Sequence, residues 1–260
     1  MTSSGKVYLI GAGPGDPELM TLRAMRMLSQ ADVVVFDRLV SPEILATCPA
    51  RAERIAVGKA AKHHSVPQDE INAILLAQAL KGRIVARLKG GDPLIFGRGS
   101  EEAAYLTARG IEVAYAPGIT AAQGAASATG VPLTHRGLAG SVRYVTGHRQ
   151  AGQVLDLDWK RLADPDCTLV VYMGVANIGQ IAVGLMTEGL DPATPVLAVA
   201  NATTVQETRL VSQLDRLGRD IRLSGLTAPV LFVIGRVVSL YSETAIPSEM
   251  AARAMTAAHA

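Results

Sequence analysis

Residues 6–16 read Lys6-Val7-Tyr8-Leu9-Ile10-Gly11-Ala12-Gly13-Pro14-Gly15-Asp16. A short apolar run ends in a glycine-rich turn, and a helical spacing follows, with Leu19, Leu22, Met25 and Leu28 on one face. Strand, tight turn and helix in that order open an α/β domain with a parallel sheet. The pattern repeats outward from there. Val33-Val34-Val35-Phe36 is a second buried strand, and residues 54–57 are a weaker third. Ser65 and Gln68 stand at capping-box spacing before a helix carrying Ile71, Ile74 and Leu75, which ends near Gly82. Residues 83–88 form the next strand, 100–109 a helix and 112–115 a further strand. Such alternation predicts a mainly parallel sheet covered by helices.

Residues 116–140 break the rhythm. They are rich in Gly, Ala, Thr and Pro, which places a domain junction there. The second half restarts with strands over 141–146 and 168–173, then a helix over 175–188. Strands over 195–200 and 205–211 are joined closely enough to pair antiparallel, and 229–235 is a last buried strand. The expected organisation is two α/β domains, residues 1–117 with a mainly parallel sheet and 118–244 with a mixed sheet. Residues 245–260 are expected to form a disordered tail.

Composition narrows the function classes. The chain has 260 residues, 49% hydrophobic and 18% charged, with a formal net charge of +2, so an extended polyanion is not its expected partner. Aromatics make up only 4%, too few for stacking platforms along a nucleic-acid strand. Two uncharged stretches, 113–134 and 167–187, are interrupted by Gly, Pro, Asn or Gln and are not read as membrane spans. Cys48 and Cys167 are far apart and belong to no metal-ligand spacing, and the start of the chain lacks a signal-peptide pattern. The expectation is a cytoplasmic protein without metal, membrane or nucleic-acid partner.

Three constellations carry chemistry. The first, Gly11 to Asp16, resembles a dinucleotide-binding turn, and Asp37 at the end of the second strand sits where a ribose-binding acid would. An NAD-dependent oxidoreductase is therefore one reading. Against it, Asp16 puts a negative charge where pyrophosphate would dock, and Pro14 removes an N–H from the loop. The turn suits an uncharged or cationic ligand better, or no ligand at all. The second is the run from Leu88 to Glu102, whose five glycines let something approach the backbone. The third is Pro117-Gly118-Ile119-Thr120-Ala121-Ala122, followed by Pro132-Leu133-Thr134-His135-Arg136. His63, His64 and His148 read as surface or packing residues.

The motifs also stand in a telling order: GAGPGD (11–16), VFDRLVS (35–41), VGK (57–59), VPQDEIN (66–72), LKGGDPLIFGRGSEE (88–102), PGITAA (117–122), PLTHR (132–136), TGH (146–148) and YMG (172–174). Over residues 5–240 they resemble the uroporphyrinogen-III C-methyltransferases, a branch of the tetrapyrrole (class III) methyltransferase family. The GAGPGD turn is common to that family, including other precorrin methylases and diphthine synthase; DRLVS, GRGSEE and PLTHR point to this branch. These 260 residues show no match to the dehydrogenase-chelatase segment of fused siroheme synthases, so the stand-alone form is the expectation.

The resemblance implies two α/β domains with S-adenosylmethionine in the cleft between them. It also implies methylation of uroporphyrinogen III at two pyrrole carbons, giving precorrin-2 through precorrin-1, with S-adenosylhomocysteine released. By motif match the cofactor residues would be Pro14, Gly90, Gly91, Asp92, Ile95, Thr120, Ala121, Met173 and Ala202. Asp37 would accept a proton and Lys59 would donate one. Arg38, Arg98 and Arg136 would grip the carboxylate arms of the substrate. Glu101 would order Arg98 or bind pyrrole N–H groups. A homodimer is implied as well. Open alternatives are another precorrin or diphthine methyltransferase of the same fold, the oxidoreductase, and a ligand-sensing module that has kept the fold.

Overall fold

The computed structural model describes residues 5–58, 66–148 and 155–242. Lys59, His63, His64 and the expected tail lie outside them. The chain divides into two compact units, Met1–Thr120 and Ala121–Ala260.

The first unit holds β1 (Lys6–Gly11), α1 (Leu22–Leu28), β2 (Val33–Phe36), α2 (Pro42–Ala46), β3 (Glu53–Ala56), α3 (Gln68–Leu80), β4 (Ile84–Lys89), α4 (Gly99–Thr107) and β5 (Glu112–Ala116). Its sheet has the order β3-β2-β4-β1-β5, and every pairing is parallel. Alternation along the strands sends side chains to two apolar layers. Tyr8, Ile10, Val34, Ala86 and Leu88 pack with α1 and α2, through residues such as Ala24, Leu28 and Ile44. Val7, Leu9, Val33, Val35 and Val85 pack on the other face with Ile71 and Leu75 of α3 and Leu106 of α4. Burial on both faces is why these strands read as continuous apolar runs.

The second unit holds α5 (Ala121–Thr129), β6 (Ser141–Thr146), α6 (Trp159–Leu162), β7 (Cys167–Tyr172), α7 (Ile178–Thr187), β8 (Pro195–Ala200), β9 (Thr208–Gln213), α8 (Leu217–Ser224) and β10 (Val230–Ile234). Its sheet runs β6-β7-β10-β8-β9. Only β6–β7 is parallel; β7–β10, β10–β8 and β8–β9 are antiparallel, so the sheet is mixed. Phe232, Val171, Ala198 and Ile234 pack against Ile181 and Leu185 of α7 and Leu217 and Ile221 of α8. Val170, Leu197, Val199 and Val233 pack against Ala122 and Ala125 of α5 on the opposite face.

Some expectations shift. The stripe Leu19, Leu22, Met25, Leu28 does not form one buried face: Leu22 is 90% exposed, and α1 buries Ala24, Met27 and Leu28 instead. The cause is punctuation. Asp16 caps a separate 3-10 turn, Pro17–Leu19, and Thr21 caps α1 afresh by accepting from the Ala24 N–H, which resets the helical phase. At α3 the capping position is held by Pro67 with no side-chain bond; Ser65 is outside the described residues. The helix expected from 175 begins at Ile178, because the Asn177 N–H is turned onto Gly174 O. The strand expected over 205–211 is observed at Thr208–Gln213, the preceding residues being held in a turn from Asn201 to Glu207. The short α2 carries too little apolar periodicity to be seen in sequence; α8 is polar overall but amphipathic, and its two buried residues, Leu217 and Ile221, stand one helical turn apart. α2 is set by Ser41, which caps it, and by the proline at its first position. Cys48 and Cys167 are buried free thiols, and burial pushes the Cys48 thiol up from its ordinary value. Among the described residues no helix is long and apolar enough to cross a membrane.

Candidate functional site

In the first unit GAGPGD, VFDRLVS, the start of VGK, LKGGDPLIFGRGSEE and PGITAA stand at the carboxyl ends of the parallel strands, the place where open α/β sheets bind ligands. The turns after β1 and β4 are stitched together: the Gly13 N–H donates to Gly91 O at 3.1 Å, the Gly91 N–H donates to Gly13 O at 2.7 Å, and the Ala12 N–H donates to Lys89 O at 2.8 Å. The loop after β5 joins them. Asp92 accepts from the Gly118 N–H through Oδ2 at 3.0 Å and from the Leu94 N–H through Oδ1 at 2.8 Å. A Cβ on Gly118 would lie 2.1 Å from Gly91 O, and one on Gly11 would lie 2.4 Å from Gly118 N. GAGPGD, LKGGDP and PGITAA, more than 100 residues apart from first to last, therefore meet backbone to backbone, and only glycine permits the approach.

The DRLVS segment is tied to the same place. Ser41 donates to Gly15 O at 2.7 Å while capping α2. A Cβ on Gly90 would fall 2.7 Å from Cβ of Leu39. Asp37 accepts from the Leu39 N–H through Oδ1 at 3.0 Å, and its Oδ2 lies 3.7 Å from Nη2 of Arg87. Arg38 is exposed beside it, with its backbone against Gly58. Pro14 is half-buried, Ile95 is exposed and Thr120 is buried. This donor set suits a cation or a neutral group better than a phosphate, since Pro14 offers no N–H and the carboxylates Asp16 and Asp92 stand among the loops.

Arg98 has a left-handed backbone, φ 58°, at the start of α4. Its guanidinium grips Glu101 in a fork, Nε to Oε1 at 3.0 Å and Nη2 to Oε2 at 2.6 Å. This hydrogen bonding holds the Glu101 carboxyl below its ordinary value and raises that of Arg98. Both side chains are about half exposed, at 54% each, so the pair is available to a ligand.

Behind this rim sits a cluster to which the sequence reading gave no role. Glu102 of α4 is fully buried. Its Oε1 accepts from Lys89 Nζ at 2.8 Å, Arg87 Nε at 3.3 Å and Gln68 Nε2 at 3.1 Å. Burial, reinforced by the charge of Arg87, pulls the Lys89 ammonium below its ordinary value, and Glu102 opposes that shift. The available signal was Arg87 and Lys89 at alternate positions of a strand otherwise buried on both faces: cations on such a strand need a buried partner.

The second unit places Ala121, Met173, Ala202 and Arg136. Tyr172, at the end of β7, accepts from the Ala122 N–H at 3.2 Å through its hydroxyl oxygen, which fastens the start of α5 to the residue before Met173. Met173 is half exposed with φ 53°. Ala202 is 8% exposed, and it lies between Asn201, φ 50°, and Thr203, φ 66°. A β-branched residue in the left-handed region is strained, and Glu207 holds it: Oε2 accepts from the Thr203 N–H at 2.6 Å. Arg209 pairs with Oε1 of Glu207 at 2.7 Å and donates to Ala128 O of α5 at 2.7 Å. Gly147 and Gly174, from TGH and YMG, also touch: a Cβ on Gly147 would fall 2.5 Å from the Cα of Gly174. Arg136 stands apart from these, exposed in a loop lining an open depression with His135, Asp166 and Arg236.

Comparison with known proteins places the chain in a family. Residues 6–218 match the model of a family described as tetrapyrrole (corrin/porphyrin) methylases. The uroporphyrinogen-III C-methyltransferase of Paracoccus denitrificans is 56% identical over 95% of this chain and 86% of its own length. A siroheme synthase of Pseudoalteromonas atlantica is 49% identical over 92% of this chain, which spans about half (52%) of that longer relative. The uroporphyrin-III C-methyltransferase of Thermus thermophilus, solved in complex with S-adenosylhomocysteine, superposes with a TM-score of 0.78 at 41% identity, covering 95% of this chain and all of that one. The oxidoreductase alternative is accordingly not favoured, and the chain belongs to the tetrapyrrole (corrin/porphyrin) methylase family.

Proposed function

We propose that the chain transfers methyl groups from S-adenosylmethionine to two pyrrole carbons of uroporphyrinogen III, giving precorrin-2 through precorrin-1. The observation that carries the reading is the meeting of Gly11, Gly91 and Gly118 beside Asp37, in a chain 56% identical over nearly its whole length to a protein of that activity. The fused siroheme synthases it also resembles extend well beyond it, so only their methylation step is assigned here.

S-adenosylmethionine supplies an electrophilic methyl on a sulfonium. The electron pair of a pyrrole carbon forms the new C–C bond, the S–CH3 pair stays on sulfur, and one proton leaves the macrocycle. Positioning supplies much of the rate in such a displacement. In this reading Pro14, Gly90, Gly91, Asp92, Ile95, Thr120, Ala121, Met173 and Ala202 contact the cofactor, mostly through backbone. Asp37 takes the proton, and a proton that Lys59 gives to the macrocycle is matched by a second one lost to solvent, so that the net loss per methyl stays one. Arg38 and Arg98 hold carboxylate arms, with Glu101 setting the Arg98 fork; the same role for Arg136, which stands apart in its own depression, rests on the motif match alone. A balanced net charge of +2 is compatible with an octa-anionic substrate, because a few arginines facing one site are enough. The substrate is a non-planar porphyrinogen, which fits a low aromatic content. The same reading takes the protein as a cytoplasmic homodimer without a resident metal or nucleic-acid partner.

Anaerobic incubation with uroporphyrinogen III and S-adenosylmethionine, followed by mass spectrometry of the tetrapyrrole, tests the proposal. Two added methyl groups are expected; none would exclude it.

A further inference from the structure

Strand alternation that builds one apolar layer of the first unit also lines up charge. Val33 and Val35 of β2 and Val85 of β4 point to the α3/α4 face. Continuing by twos, Asp37, Arg87 and Lys89 fall on that same face, at the carboxyl ends of neighbouring parallel strands in register Val35↔Arg87. The apolar layer gives way to ions within one residue pair. Glu102 reaches in from α4 and Gln68 from α3. Arg87 is 3%, Lys89 4% and Glu102 0% exposed, whereas the Asp37 side chain is 27% exposed at the rim.

Formal charges within the buried set do not cancel. Arg87 and Lys89 bring two positive charges and Glu102 one negative, leaving a surplus of one. Gln68 is neutral. Around Asp37, β3 offers only Glu53 and Arg54 as charged side chains; Glu53 is paired with Arg83, and Arg54 acts on the surroundings of Cys48. Two further anions feel the surplus: Glu101 of α4, whose carboxyl the Lys89 charge helps to lower while its oxygens are held by Arg98, and Asp37, with Oδ2 3.7 Å from Arg87 Nη2, which is the one paired with the set. Arg87 is itself fixed, donating through Nε to Glu102 at 3.3 Å and through Nη1 to Leu88 O at 3.2 Å. An unpaired charge in such a setting is strongly unfavourable, so the set and Asp37 stabilise each other.

We propose that Asp37 is the counterion of the buried Arg87–Lys89–Glu102 set and that Arg87 is the positioning residue that sets the Asp37 carboxylate at the strand end. The proposal rests on the reading of Asp37 as the proton acceptor of methyl transfer. It gives Arg87 and Lys89 a role beyond holding α4 to the sheet: they supply the fixed positive charge against which the acceptor is aimed.

A double-mutant cycle on the full chain tests the charge argument without any assay of activity. Arg87→Met is expected to be less destabilising in the Asp37→Asn background than in the parent, by about fivefold or more in the unfolding constant from urea titrations. Should Arg87→Met fail to fold, Lys89→Met replaces it. That change removes the surplus charge, so Asp37→Asn should then cost less than it costs the parent. Coupling within about twofold of additivity, in whichever cycle folds, would overturn the proposal. The kinetic arm separates positioning from mere stability. Arg87→Met is expected to lower kcat about tenfold or more, with KM for S-adenosylmethionine changed less than about threefold, and Arg87→Lys should recover part of kcat. A folded Arg87→Met with parental kcat would contradict the proposal. If the parent itself does not methylate uroporphyrinogen III, the functional reading fails, while the stability cycle still decides the charge pairing.

Discussion

Each unit buries one glutamate behind its strand ends, and the two are used differently. Glu102 gathers side chains: one oxygen accepts from Lys89, Arg87 and Gln68, and the other has no hydrogen-bond partner among the described residues. Glu207 gathers backbone: it holds the N–H of Thr203 in a left-handed turn and, through Arg209, anchors that turn to α5. The first arrangement leaves fixed charge at the rim, against Asp37. The second forms a neutral pair and fixes shape, presenting Ala202 and the start of α5. Charge and shape are thus supplied by separate units.

The comparison breaks most visibly at Glu102. Glu102→Ala leaves two buried cations without their partner and is expected to cost about 3–5 kcal/mol of stability in urea unfolding. A cost below about 1 kcal/mol would mean that water reaches Arg87 and Lys89, and Glu102 would then resemble a surface residue. Glu207→Ala should cost less, about 1–3 kcal/mol, because one N–H and a partly accessible arginine lose their acceptor. Its signature is the release of the Thr203 turn: S-adenosylhomocysteine affinity, measured by calorimetry, should fall several-fold even where the protein remains folded. Unchanged affinity would separate Glu207 from the cofactor reading.

Smallest in stability is the exposed pair at the rim of the first unit. Arg98 holds the Glu101 carboxyl below its ordinary 4.5 by hydrogen bonding. A carboxylate lowered on folding contributes stability above its unfolded value and loses it as pH falls through the folded value. Glu101→Gln should therefore melt slightly below the parent at neutral pH and converge with it in acid. Solvent and salt screen the effect, which should fade at high ionic strength. Its kinetic consequence is expected to be larger, a rise of several-fold in KM for the tetrapyrrole as the Arg98 fork loses its orientation. A gap in melting temperature that widens in acid would reverse the assigned sign.

Much of the architecture was legible because the physics behind it is local. Apolar runs broken by glycine turns require buried strands. The rim was partly legible for the same reason, since Gly11, Gly91 and Gly118 are needed at their own backbone positions. Local punctuation also misled: Thr21 restarts a helix within what reads as one apolar stripe, leaving Leu22 in solvent. Arg87, Lys89 and Glu102 show what remained out of reach. Their types were visible, and alternation in β4 put the two cations on one face. Their partner comes from a helix 13 residues beyond Lys89, and their surplus charge is met by Asp37, 50 residues before Arg87. By itself, the sequence determined the strands, the turns and the glycine positions, because each depends on a few adjacent residues. Only the tertiary structure decided which charges share a buried volume, because Coulomb and desolvation energies depend on distances that strand order and helix packing set.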